Sequence, residues 1–338
     1  MGADSGQRAA QERYRNGFFL APMVRIGTLP MRLLSLQYGA DLVWTSEVVD
    51  KCIIGCDRVV DSSTGVIAFV KDAKTLFTTH ADERQRVIFQ LGSATPAMAL
   101  QAAKLVEADV SGVDLNCGCP KKFSIQGGMG AALMEDPDRL CAILEALVAN
   151  LRVPVTCKIR VFDDEEQTLA LVRRIAATGI AALTVHCRTR SMRPREKAMW
   201  GRLNGIVREL APLPVILNGD VFEYADVQRA KEATGATSVM TARAAAANPS
   251  IFRAEGALTV IEAVVAYMRA AVRVGNPFQN TKYTLMQMHP DTRSPGFRAI
   301  QGAKSLEAMC AALECTDLHP AASAAVNPAA SAAVNPAA

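Results

Sequence analysis

Five consecutive apolar runs end in side chains that can donate or accept hydrogen bonds. The first closes on Asp114-Leu-Asn116-Cys-Gly-Cys119-Pro120 and leads into Gly127-Gly-Met-Gly130. The next close on Cys157-Lys158-Ile-Arg160, His186-Cys-Arg188, Asn218-Gly219-Asp220 and Thr241-Ala242-Arg243. A buried ammonium without an anionic partner is costly, so Lys158 should face an anion or an electron-rich ring. His186 alone is ambiguous, because single histidines are often satisfied core residues. Beside Lys158 on the adjoining run it reads as a ligand contact. Asn218-Gly219-Asp220 permits close backbone approach, and Ala242-Arg243 offers an amide and a guanidinium, a combination suited to phosphate. Gly219 could simply turn the chain and Arg243 pair at the surface; their coincidence at successive run ends favours the anion site.

These residues need a scaffold that brings strand ends together. Eight short β-rich runs alternate with amphipathic stretches: Phe18–Pro22, Leu42–Ser46, Val87–Leu91, Gly112–Asn116, Val155–Ile159, Leu183–His186, Val215–Asn218 and Ser238–Thr241. Most are continuous apolar runs, as expected of parallel strands buried on both faces. Between them the pattern predicts helices such as Met98–Glu107, Asp138–Asn150, Glu165–Ala177, Leu203–Leu210 and Ala225–Ala233. The fold class is therefore α/β, a (β/α)8 barrel, whose active site sits at the C-terminal ends of the strands. A doubly wound sheet competes, but the first turn, Ala21 to Gly27, carries no G-x-G-x-x-G fingerprint. Val66–Val70 and Thr75–Thr78 read as an inserted hairpin. After Asn248-Pro249 helices take over: Leu258–Val274, Tyr283–Met288 and Gly302–Leu313. The expected organisation is an N-terminal extension over 1–16, a barrel over 17–253, a small C-terminal helical domain over 254–318 and a Pro/Ala repeat tail over 319–338. The tail repeats Pro-Ala-Ala-Ser-Ala-Ala-Val-Asn from Pro320, a composition that cannot bury a core.

Composition agrees with one large domain and an appendage. The chain has 338 residues, 21% of them charged, which excludes wholesale disorder. The 50% hydrophobic fraction holds only 5% aromatics and is inflated by alanine. No run reaches the roughly 18 apolar residues of a spanning helix, so no membrane is expected. Met1 to Asn16 has no apolar signal region, and nine scattered cysteines read as reduced thiols, so a cytoplasmic location is expected. Net charge is +4, which permits a polyanionic partner without requiring one.

The Asn116-Cys-Gly-Cys119-Pro120 loop with its following glycines resembles the hallmark of the tRNA-dihydrouridine synthases, flavin-dependent enzymes. The resemblance extends through Leu20-Ala-Pro-Met-Val24, Phe89-Gln90-Leu-Gly92, Cys157-Lys-Ile-Arg160, Val185-His186, Asn218-Gly219, and Ala242-Arg243 with Asn248-Pro249. Gly-Thr-Leu-Pro-Met-Arg at 27–32, Gly-Gly-Met-Gly-Ala-Ala-Leu at 127–133 and Asn280-Thr-Lys-Tyr283 look most like the eukaryotic type-2 branch, which reduces the uridine at position 20 of the tRNA D-loop. It implies FMN as cofactor and NADPH as reductant. Pro22, Met23 and Val24 would lie against the flavin ring, with Gln90 bonding its polar edge. Lys158 would sit where reduction places negative charge, with His186 also in contact. Asn218, Gly219, Asp220, Ala242 and Arg243 would hold the ribityl phosphate.

The implied reaction passes hydride to C6 of the uracil and a proton to C5. Cys119 suits the second step, since a thiol of ordinary pKa near 8.5 is mostly protonated at neutral pH and can act as general acid. Asn116 would hold the uracil edge. A flipped base and a tRNA body require positive surface, for which Lys121, Lys122, Arg160, Arg188, Arg190, Lys282 and the remainder of the basic 188–197 stretch are candidates. The chain is expected to act as a monomer, and no metal site is expected. Many members of the branch carry a double-stranded-RNA-binding domain after the helical one; after Leu313 only the repeat is expected here. Three residues depart from the pattern: Cys117 for Met, Cys187 for Gly and Asp220 for a second Gly, the last a carboxylate that would repel phosphate unless turned away. Alternatives are a flavin barrel acting on a free pyrimidine or enone, as dihydroorotate dehydrogenases do, and a non-catalytic tRNA-binding protein.

Overall fold

Inward and outward side chains alternate along eight strands that close on themselves. In the computed structural model, which describes residues 2–289 and 291–315, these are β1 (Phe18–Leu20), β2 (Val43–Trp44), β3 (Val87–Gly92) and β4 (Gly112–Asn116). They continue as β5 (Val155–Arg160), β6 (Ala182–His186), β7 (Val215–Asn218) and β8 (Ser238–Thr241). Every neighbouring pair is parallel, and β8 returns to β1 through Phe18↔Val239 and Leu20↔Thr241, giving a (β/α)8 barrel. The floor inside the barrel is filled by Phe19, Trp44, Ile88, Ile216 and Met240, with Tyr14 plugged among them from below. Outward residues such as Val113, Leu115, Ile159, Val185 and Leu217 are fully buried against the helices, each worth about 1.5–3 kcal/mol by burial. Above the apolar floor the inward positions turn polar: Gln90, Asp114, Asn116, Thr156 and Asn218 are all buried.

Helices return the chain between strands, including Pro96–Val106, Pro137–Asn150, Glu165–Ala177, Leu203–Leu210 and Asp226–Thr234. The first return helix, Leu29–Gln37, begins at Thr28. Arg32 on that helix is buried and pairs with the buried Glu83 through Nη2 at 2.7 Å and Nε at 2.9 Å, while Nη1 donates to the Gly27 carbonyl and Nη2 also to the Thr78 carbonyl, both at 2.7 Å. A buried pair tolerates desolvation only when so fully bonded. The insertion between β2 and β3 is a three-stranded antiparallel sheet, Asp57–Val60, Val66–Lys71 and Lys74–His80. Its first strand escapes prediction because all four residues are exposed and show no buried face. The second turn is a two-residue hairpin, Asp72-Ala73, both with positive φ as a type I′ turn requires.

The first of the last helices packs on the first return helix, and those after it pack on one another in turn. Val260–Arg273 opens with a Thr259/Glu262 capping box, and Phe278–Met288 starts five residues before the predicted Tyr283. The single helix expected over Gly302–Leu313 is two: Pro295–Gly302 ends, and Ser305 caps a new one at Leu306–Ala312. The expected repeat tail lies outside the described residues. Among the described residues no helix is long and apolar enough to cross a membrane.

Candidate active site

A groove crosses the C-terminal mouth of the barrel. One end is lined by Ala21, Pro22, Val24, Glu47, Gln90, Asn116, Cys119 and Lys158. It passes Arg160, His186, Asn218 and Ala242, which also line the other end with Gly219, Asp220, Phe222 and Arg243. Met23 faces the core, and its carbonyl accepts from Gly27 N–H and Ser46 Oγ, both at 2.8 Å, fixing the loop that presents Pro22 and Val24.

Beneath the groove, Asp114 is fully buried and accepts from Gln90 Nε2 at 2.8 Å and Thr156 Oγ1 at 2.7 Å. The Gln90 amide is thereby oriented, with its oxygen left as an acceptor. Lys158 Nζ donates to Asn218 Oδ1 at 2.9 Å. Burial, then Arg160, lower the Lys158 pKa to about 8, against the pull of Asp114. Burial first, then Lys158, Arg160, Arg188 and Arg243, drive His186 down to about 2, so its ring is neutral. Arg188 Nη1 lies 3.3 Å from His186 Nε2 and can only donate, so the imidazole proton belongs on Nδ1.

The thiol loop is held from three sides. Asn116 Oδ1 accepts the Gly118 and Cys119 amides at 3.0 and 3.2 Å. Arg160 Nε donates to the Gly118 carbonyl at 2.8 Å and Nη1 to the Thr189 carbonyl at 3.1 Å. Ala131 N–H donates to the Cys119 carbonyl at 3.0 Å, which requires Gly130 to pass under the loop: its φ is +57°, and a Cβ there would lie 2.7 Å from the Cys119 oxygen. The glycine run therefore supports the thiol loop directly. Half-buried Cys119 has a raised pKa, from burial and the charge of Glu47, opposed by the Lys121 amide, the Ser124 hydroxyl and Arg160. It stays protonated at neutral pH.

Asp220 does not face outward into the groove as a lone carboxylate. It accepts from Arg188, from the Ala198 amide at 2.6 Å and from Arg243 at 2.5 Å. Burial alone would raise its pKa, but these bonds and the two guanidinium charges hold it below the usual carboxylate range. It thereby fastens the 188–198 loop across the mouth. Cys117 and Cys187 are both fully buried in the layer between strands and helices, turned from the groove. Cys117 Sγ lies 3.6 Å from Cys157 Sγ, and burial pushes the Cys187 thiol up to about 12.

The family profile described as Dihydrouridine synthase (Dus) matches residues 19–300. The chain belongs to the dihydrouridine synthase family. Within that family it is 45% identical over 323 residues to a Schizosaccharomyces pombe protein named tRNA-dihydrouridine(20) synthase [NAD(P)+], covering 92% of this chain and 67% of that one. A Saccharomyces cerevisiae protein of the same name is 38% identical over 316 residues, covering 87% and 82%. A human tRNA-dihydrouridine(20a/20b) synthase [NAD(P)+]-like protein is 29% identical over 271 residues, covering 79% and 80%.

Two residues expected on the RNA side of this dihydrouridine synthase family member have their charged groups engaged within the protein. Arg188 is 3% exposed and committed to Asp220, His186 and the carbonyls of Pro194 and Glu196. Lys282 is half-buried; its ammonium donates to the Ala303 carbonyl at 2.9 Å and lies over the Phe278 ring. Lys121, Lys122 and Arg190 are exposed. Lys121 and Arg190 line a second groove, with Pro120, Arg160 and Arg193, that begins beside Cys119. One group at the site escaped sequence reasoning. Asp114 stood among the polar strand-end residues without a role of its own, whereas Glu47 follows β2 with no motif; the only available signal was a carboxylate just past a strand end.

Proposed function

We propose that this protein reduces a uridine of the tRNA D-loop, at position 20, to 5,6-dihydrouridine with FMN and NAD(P)H. The observation that carries the reading is the single groove joining the Cys119 thiol, the Lys158–Asn218 pair and the Gly219–Arg243 end. Its residues fit FMN. Pro22 and Ala21 offer an apolar wall, the free Gln90 oxygen suits the ring N–H, and Lys158 with the Nδ1–H of neutral His186 suits an edge that gains negative charge. At the far end the Ala242 and Arg243 amides and the Arg243 guanidinium suit a phosphate, and Asp220 is already neutralised by two arginines.

FMN, held by these residues, would supply the hydride for C6 of the uracil. Cys119 gives its thiol proton to C5, and the Lys121 amide, Ser124 hydroxyl and Arg160 stabilise the thiolate left behind. Asn116, whose oxygen is engaged by the loop amides, has two NH2 hydrogens, one to turn toward Glu47 and one to donate to a uracil carbonyl. Lys121, Lys122 and Arg190 offer charge for the phosphates flanking the flipped base. The relatives' names, which specify tRNA, position 20 and NAD(P)+, support the substrate and the reductant.

The test incubates the purified protein with unmodified tRNA and NADPH and maps dihydrouridine, with free uridine as a parallel substrate. Product at position 20 of tRNA and none from free uridine is expected. Flavin-loaded protein that yields no product would overturn the reading, and Cys119→Ala with wild-type turnover would remove the acid assignment.

A further inference from the structure

Trp44 and Val48 both pair with β3, in two separate bridges: Trp44↔Ile88 and Val48↔Leu91. Between them the chain leaves the sheet for three residues, and this gap carries Glu47. Its side chain lines the groove with Asn116, Cys119, Gln90 and Lys158. The oxygen Oε1 is shut off from solvent with no hydrogen-bond partner among the described residues, an arrangement that costs about 1–3 kcal/mol for a buried polar group. A carboxyl group kept in such a seat needs a reason.

The seat itself is shaped by Gly92. A Cβ on Gly92 would lie 2.5 Å from Glu47 Oε1, 3.1 Å from Cδ and 3.3 Å from Cγ. Gly92 is not among the residues of positive φ, so its backbone does not demand glycine; the space for Glu47 does. Asn116, whose oxygen holds the two amides of the thiol loop, lines the same part of the groove as Glu47. Burial raises the Glu47 pKa to about 7, and the neighbouring Asn116 side chain opposes the shift. The groups facing Cys119 are Glu47 from the β2–β3 gap, Arg160 and Lys158 from β5, and the Lys121 amide and Ser124 hydroxyl beyond its own loop.

We propose that Glu47 is a positioning residue for Cys119: it braces Asn116, and through it the thiol loop, and supplies the carboxylate among the groups that face the thiol. The proposal rests on the reading of Cys119 as the proton donor. Below neutral pH the Glu47 carboxyl is neutral and bears on Cys119 only through Asn116. As pH rises through about 7 it gains a negative charge, which opposes thiolate formation at Cys119. The acid thus stays loaded over the range in which a free thiol would begin to lose its proton.

Alkylation by iodoacetamide at Cys119 tests this, followed against pH in the flavin-loaded full chain by peptide fragmentation, with exposed Cys52 as internal standard. Glu47→Gln removes the charge. Its profile should move to lower pH, with alkylation of Cys119 at pH 8 about tenfold faster, the change in thiolate that one pKa unit makes, and Cys52 unaffected. The alkaline limb of the turnover profile should move the same way. Gly92→Ala keeps the charge but displaces the carboxyl, and should alter the Cys119 rate alone, which guards against a poorly folding Glu47 variant. Cys119 profiles that superimpose on wild type in both variants would overturn the proposal. Alkylation needs neither tRNA nor turnover, so a failure of the dihydrouridine assay would be told apart from a failure here.

Discussion

The ammonium of Lys158 is aimed by Asn218, whose Oδ1 accepts it at 2.9 Å while its Nδ2 donates to the Met240 carbonyl on β8 at 2.9 Å. The second bond fixes which end of the amide meets the lysine. Lys158→Met should leave the barrel folded, since an apolar side chain removes a buried charge, yet lower turnover by about 10²–10³, the cost of one preorganised donor. Flavin content by absorbance and single-turnover reduction would separate the two effects.

The same lysine sets a pH dependence. With its pKa lowered to about 8, the flavin-free protein loses this charge above pH 8, and affinity for an anionic ring should fall there. Folding responds oppositely: between about 8 and 10.5 the unfolded chain binds more protons, so stability from this group rises with pH. Flavin titrations and urea melts from pH 7 to 10 should show both limbs, and Lys158→Met should flatten both.

Asp220 ties Arg188, Arg243 and the Ala198 amide into one knot. Asp220→Ala leaves buried Arg188 without its carboxylate and should cost about 3–5 kcal/mol, read by urea melts at pH 7. The folded pKa of Asp220 lies below its ordinary value, so this stability is present above about pH 4 and is lost as pH falls through the folded value. Wild type and variant should therefore converge in acid.

Gly92 and Glu47 should behave as a coupled pair. Gly92→Ala alone should destabilise by about 1–3 kcal/mol, the usual cost of overpacking. In a Glu47→Ala background most of that loss should vanish. A double-mutant cycle on chemical melts reads the coupling directly, and additive losses would show that the close approach does not matter.

Basic residues should divide into two groups. Neutralising Lys121, Lys122 or Arg190 should weaken tRNA binding and lower the slope of log affinity against log salt, by somewhat under one for each phosphate left without its cation. Substituting Arg188 or Lys282 should instead lower the melting temperature, because their charges are spent on Asp220 and the Ala303 carbonyl. Filter binding across a salt series, paired with thermal melts, makes the distinction.

The barrel was legible because parallel strands buried on both faces leave compact apolar runs, and strand-end polar residues such as Lys158, His186 and Asn218 stand out against them. What escaped was set by distant partners. Five basic residues between Arg188 and Lys197 look alike in the chain; only Asp220, far downstream, decides that Arg188 turns inward. The exposed strand Asp57–Val60 had no buried face to betray it. Glu47 gains its meaning from Gly92 and Asn116, which belong to two other strands. Asp220, which as a lone carboxylate would repel phosphate, arrives already paired with the cations that surround it.

One amide side chain joins the C-terminal helices to the mouth. Asn280 Nδ2 donates to the Arg25 carbonyl at 2.6 Å, and its Oδ1 accepts from Thr28 Oγ1 at 3.2 Å and Asn276 Nδ2 at 3.0 Å. The Arg25 guanidinium also lies over the Tyr283 ring. The loop that carries Pro22 and Val24 is thus mortised into the helical unit. Barrel and helices should melt in one calorimetric transition, and a macromolecule gripping those helices would press on the wall of the groove itself.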